Sequence, residues 1–136
     1  MTLQESSIYV GLSKLRDMLY QAQFLMTKAD RMIYGDNLMK YNSECLKLFT
    51  MAFLTKEKRI ERLEECIGWF AVLRKDIEFC VLQNIIKYKK RMMDDGLPES
   101  EYVNTKKIEL FKVVAKIDDD MYKWRGSLTK GKTLCG

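Results

Sequence analysis

The stretch from Thr55 to Met93, TKEKRIERLEECIGWFAVLRKDIEFCVLQNIIKYKKRMM, most limits the folds open to this chain. Ile60, Leu63, Ile67, Phe70, Ile77, Val81, Ile85 and Tyr88 recur mostly three or four residues apart, which puts them on one side of an α-helix. Arg59, Arg62, Lys75, Glu78 and Lys89 fall elsewhere around it. A continuous helix of ~37 residues would be ~55 Å long at a rise of about 1.5 Å per residue. Its stability must come from packing along that length, so it needs long amphipathic partners.

The remaining sequence supplies them. Ile8, Leu12, Leu15, Leu19, Ala22, Met26, Ala29 and Ile33 alternate steps of four and three, a heptad stripe that predicts a first helix over 8–33, capped by Ser6 or Ser7. Lys14, Arg16, Asp17, Gln21, Lys28 and Arg31 take its opposite face. Gly35 is read as its stop, and Asp36 caps a second helix over 36–54, with Leu38, Tyr41, Cys45, Leu46, Phe49, Ala52 and Phe53 as its apolar set. The third helix is read over 56–93. Asp94-Asp95-Gly96-Leu97-Pro98 is a turn. The fourth helix follows over 99–128, with Val103, Leu110, Val113, Val114, Ile117, Met121, Trp124 and Leu128 inward, then a mobile basic tail over 129–136. A single proline and nine methionines fit an all-α chain. Four amphipathic helices with short connections predict a single domain over 1–136, an up-down-up-down antiparallel four-helix bundle.

The residue inventory bounds the chemistry. There is no histidine, so a catalytic base would have to be a carboxylate, lysine or tyrosine. Asp118, Asp119 and Asp120 occupy successive positions and splay around the helix, so at most one faces the core. No glycine-rich loop is present to cradle a phosphate. Cys45, Cys66, Cys80 and Cys135 form no CxxC pair, and Cys66 and Cys80, beside the apolar stripe, read as buried thiols in a reducing cytosol. The expectation is a protein that is not an enzyme and carries neither metal nor cofactor. Met1–Ser7 is polar, and no run approaches the ~20 apolar residues of a membrane span, so a cytoplasmic protein with no membrane partner is expected.

The net charge of +5 favours polyanionic partners. Its sources are two groups on the third helix. Lys56, Lys58, Arg59 and Arg62 lie at its start, and Lys87, Lys89, Lys90 and Arg91 at its end, with Lys75 between them. Two readings are open: phosphate contacts without sequence readout, or a solvated surface of Lys–Glu pairs. Arg74 falls on the apolar side between Phe70 and Ile77, and Trp69, Phe79, Tyr20, Phe24 and Tyr34 lie off the main stripes. Two readings are open here as well: a thick core with a satisfied arginine, or an interface between copies, where aromatic residues and arginine are favoured.

Tyr34-Gly35-Asp36, then Lys58…Leu63-Glu64-Glu65, Leu73-Arg74, Glu101-Tyr102 and Ile117…Met121…Trp124, together with the helix order, carry a resemblance over about 8–128. The chain resembles the small four-helix-bundle proteins that accompany reverse transcriptases in diversity-generating retroelements, the accessory variability determinants. It also resembles their relatives encoded in intervening sequences of large-subunit ribosomal RNA genes. Where the family often has a glycine pair before the late tryptophan, this chain has Tyr122-Lys123. The resemblance implies a homopentamer that binds RNA and DNA with little sequence preference and docks on a reverse transcriptase to support mutagenic complementary-DNA synthesis. It would place nucleic-acid contacts on Arg59, Arg62, Arg74, Lys75, Lys87, Lys89, Lys90 and Arg91. The alternatives are an rRNA-intervening-sequence type of protein or an adaptor bundle that binds protein and ignores nucleic acid.

Overall fold

The computed structural model describes residues 1–90 and 96–135, with 131–135 as backbone alone. Among the described residues there is no strand, and four long helices share one apolar core. After a 3-10 turn at Leu3–Glu5 comes α1 (Ser7–Ala22), extended by a second 3-10 turn at Gln23–Leu25. A single turn, α2 (Lys28–Asp30), leads through a π-helical segment (Arg31–Gly35) into α3 (Asp36–Leu54). Then come α4 (Arg59–Leu82) and α5 (Glu99–Cys135).

The first break lies upstream of the position read from sequence. Met26 and Thr27 are extended, with ψ of 147° and 160°, and the Thr27 hydroxyl oxygen accepts a hydrogen bond from the Asp30 N–H at 3.1 Å. This is an N-cap, and it divides the expected 8–33 helix. The heptad stripe is buried from Ile8 to Met26, while Ala29 and Ile33 are exposed. Gly35 is not a stop. It keeps right-handed helical geometry, and a Cβ there would stand 3.2 Å from Met26 Sδ and 3.3 Å from Arg31 Cγ. Its lack of a side chain lets the Met26 corner pack against the π turn.

The second correction concerns α4. It has 24 residues, ~36 Å of helix, and stops at Leu82 instead of running to Met93. Asn84 adopts the left-handed conformation at φ 56°. The Ile85 N–H then reaches back to the Cys80 carbonyl at 2.8 Å, and the Asn84 N–H to the Val81 carbonyl at 3.1 Å. This pair of bonds is a Schellman motif, with Asn in the place usually held by Gly. The turn folds Ile85 and Ile86 into the core, where both are buried. At its other end α4 begins at Arg59, after Lys58 in the left-handed region at φ 57°, and the Thr55 N–H bonds to the Met51 carbonyl at the close of α3. The expected helix end at Met93 and the Asp94-Asp95 half of the turn lie outside the described residues.

The longest helix is α5, with 37 residues, ~55 Å. Backbone expected as a mobile tail from Thr129 is helical through Cys135.

Tyr34, Tyr41, Cys45 and Ala52 meet Phe79, Trp69, Cys66 and Arg59 respectively, so α4 and the helical segment before it pair in opposite order along the chain. Cys45 and Cys66 each donate a thiol hydrogen bond to the other's carbonyl oxygen, at 3.8 and 3.3 Å. That bond and burial hold the Cys45 thiol far above its ordinary range, and burial pushes Cys80 up to about 11. The Cys45 and Cys80 thiols thus stay protonated and serve the core as packing groups. α5 closes the core with Met121 against Cys66 and with Trp124 edge-on to Phe49 at 5.4 Å. α1 approaches α5 closely at Gly11, where a Cβ would lie 2.7 Å from Ile117 Cγ1. Asn42, buried in α3, donates to the Leu12 carbonyl at 3.3 Å and ties α3 to α1.

Asn84 tests the reversal. Its side chain is exposed, so substitutions there report on the backbone. Asn84→Gly is expected to hold stability or raise it by up to ~1 kcal/mol, because glycine takes positive φ freely. Asn84→Val is expected to lower it by about 1–2 kcal/mol. Urea unfolding followed by circular dichroism measures both; equal effects of the two changes would contradict the left-handed stop.

Candidate nucleic-acid interface

The residues singled out from sequence separate into those held by the fold and those left open. Arg59 belongs to the first group. Its Nε and one terminal nitrogen donate to the Ala52 and Phe53 carbonyls at 2.6 and 3.0 Å. Those are last-turn carbonyls of α3 with no intrahelical partner, and a cation there also complements the helix dipole. Arg74 is the second such residue. It bridges Glu78 on its own helix at 3.4 Å and Asp118 on α5 at 3.2 Å. That contact gives the arginine between Phe70 and Ile77 a structural task, the tie between α4 and α5. Arg125 makes a similar tie to Glu64 at 3.2 Å. It sets Arg125 of α5 beside Glu64 near the start of α4.

Arg62 and Lys75 lie along α4 without an ion-pair partner among the described residues, Arg62 half-buried and Lys75 exposed. Arg91 lies outside the described residues. The remaining predicted positions, Lys87, Lys89 and Lys90, are together but not where a helix end would have put them. The Schellman turn sends them along the flank of the bundle instead. There they form one wall of a groove of about 1130 Å³. α1 supplies a second wall with Lys14, Asp17, Met18, Gln21 and Ala22, continued by Phe24 and Leu25 from the adjoining 3-10 turn. The start of α5 supplies the third with Tyr102, Lys106 and Glu109. Sequence reading missed Lys14, Phe24, Tyr102 and Lys106 as neighbours of the lysine run. Asn84, a residue able to end a helix by turning left-handed, was the available signal.

Among the described residues, five lysines and two carboxylates line the groove. Lys106 is shared between Glu109, at 3.6 Å, and the face of the Tyr102 ring, 5.6 Å from its centroid. The Lys90 ammonium donates to the Leu97 carbonyl, which fixes one end of the wall. Lys14, Lys87 and Lys89 make no ion pair among the described residues. Burial pushes the Tyr88 hydroxyl up to about 12, with Glu109 and Tyr102 adding to the shift, so it stays a neutral donor at the base of the groove. Phe24 is 64% exposed and makes a T-shaped ring contact with Tyr20, centroids 5.2 Å apart. Unpaired ammonium groups beside accessible rings can take phosphates and flat apolar faces together.

Among the described residues no three Cys, Asp or Glu side chains stand close enough to hold a metal ion, and no helix is long and apolar enough to cross a membrane. No family model matches this sequence, and neither a curated protein nor a solved structure is significantly similar to it.

Arg59→Ala is expected to destabilise the protein by roughly 1–3 kcal/mol, because it strips charge-assisted bonds from two helix-terminal carbonyls. Arg62→Ala should change stability by no more than ~0.5 kcal/mol. Paired urea titrations distinguish them, and equal effects would remove the structural role given to Arg59.

Proposed function

We propose that this protein is a non-catalytic, basic nucleic-acid-binding accessory protein of a reverse transcriptase, of the kind found in diversity-generating retroelements. In that role it supports mutagenic complementary-DNA synthesis. The observation that carries the nucleic-acid part is the set of ammonium groups with no carboxylate partner among the described residues, Lys87 and Lys89 in the diverted segment and Lys14 across the groove on α1. Such groups attract a polyanion by counterion release and carry no base readout, which matches binding with little sequence preference. The reverse-transcriptase part is supported by the resemblance carried by Tyr34-Gly35-Asp36, Leu73-Arg74 and Ile117…Met121…Trp124.

The same reading takes the chain as an up-down-up-down bundle that assembles as a homopentamer. Cys66–Met121, Arg74–Asp118 and Glu64–Arg125 pair in opposite order along α4 and α5, in keeping with that topology. Met32, Ile33, Phe79 and Leu82 remain exposed, with Leu82 at 81%, and supply apolar surface for contact between copies. A second reading has its own observation. A shallow dent of about 320 Å³ lies between Glu65, Gly68, Trp69 and Val72 on the outer face of α4. It would seat an apolar side chain of a partner helix, the adaptor role.

Electrophoretic shifts with unrelated RNA and DNA sequences, repeated across salt, test the proposal. Affinity should fall steeply and log-linearly with salt, by ~0.7 per phosphate contact on single strands. Absence of any shift at the lowest salt would refute the nucleic-acid reading and leave the adaptor.

A further inference from the structure

We infer that the groove between α1, the segment after Asn84 and the start of α5 is a binding site for single-stranded nucleic acid, with Phe24 as a stacking platform for an unpaired base. The inference rests on the nucleic-acid reading above and adds to it a strand type and a place. Three observations carry it.

The first is charge. Among the described residues the groove holds five lysines against two carboxylates, and Lys14, Lys87 and Lys89 have no ion-pair partner. Charges on both α1 and the 87–90 segment let a phosphodiester backbone run between two walls. The second is the ring. Phe24 is exposed at the groove, where a base can reach it, and its ring makes a T-shaped contact with Tyr20. Tyr88 and Tyr102 add two more rings inside the same concavity. The third is shape. Duplex DNA is read by elements that protrude into its grooves, and its bases are already stacked on one another. Rings set among the walls of a concave surface are reachable only by bases free to splay out, and basic grooves with interleaved aromatics are how single strands are held without sequence preference. An acidic peptide satisfies the lysines but offers no planar base for Phe24.

Fluorescence anisotropy tests this with labelled ~15-nucleotide oligouridine and oligothymidine and a duplex of similar length. Single strands should bind more tightly than duplex, with similar affinity for the two sugars, since stacking and phosphate contacts are common to both. Phe24→Ala should weaken single-strand binding by about 5- to 150-fold, the range for losing one base–aromatic stack. Phe24→Trp should retain it, which separates stacking from damage to the fold. K87E/K89E should weaken binding and reduce the salt slope by ~1.4, whereas R62E/K75E, on α4 away from the groove, should leave the slope nearly unchanged. Polyglutamate should displace the strand far less well than unlabelled oligouridine. Duplex binding equal to single-strand binding, Phe24→Ala binding like the unmodified protein, or a larger effect of R62E/K75E would overturn the groove assignment while leaving the general reading intact. Polyglutamate competing as well as oligouridine would make it a peptide site. No binding of any strand by the unmodified protein would sink both.

Discussion

The reversal after Leu82 is the constraint on which the rest of this structure turns. Two backbone bonds, from Ile85 to Cys80 and from Asn84 to Val81, close α4. Both are short-range, and alone they would stabilise the chain by only ~1 kcal/mol each. They hold because the chain leaving the turn buries Ile85 and Ile86, whose removal from water contributes about 1.5–3 kcal/mol apiece. Hydrophobic burial therefore fixes the direction of the following lysines. A continuous helix would have distributed Lys87, Lys89 and Lys90 around its circumference. The turn sets them against α1 and α5 instead, where they line a concave surface.

A second sorting follows from helix pairing. α4 lies between α3 and α5 and uses two of its arginines to join them. Arg59 neutralises the carbonyl end of α3, and Arg74 reaches Asp118 on α5. Both were attractive as phosphate contacts on position and charge alone, and both have their donors directed to the protein's own oxygens. The surface charge that remains available is thus fewer in number and more localised than the sequence count implies. The thiol seam between Cys45 and Cys66 joins α3 to α4, and the Phe49–Trp124 contact joins α3 to α5.

The sequence made the helices legible and left the corners hidden, for a physical reason. The stripe from Ile8 to Met26 is a long-range average over many residues, and all of its members to that point are buried. Corners depend on single residues with two roles. Gly35 looked like a stop but is a close-packing point against Met26, and the real stop was Thr27, whose hydroxyl caps Asp30. Asn84 looked like one more polar residue in a helix and was the left-handed terminator. Periodicity ran through it because Ile85 and Tyr88 stay on the core side after the helix has ended, so an apolar pattern alone could not mark the change. The lysine run was visible in the sequence. Its partners, Lys14, Phe24, Tyr102 and Lys106, come from distant segments and become neighbours only through the fold.

Charge, rings and concavity thus meet at one place, created by one turn. The most direct measurement of that convergence is photochemical. A ~15-nucleotide strand carrying 4-thiouridine is irradiated on the intact protein, and the adducts are mapped by mass spectrometry. The account predicts adducts on Phe24, Tyr88 or Tyr102. Adducts confined to the outer face of α4 around Arg62 and Lys75, or spread evenly over exposed side chains, would contradict it.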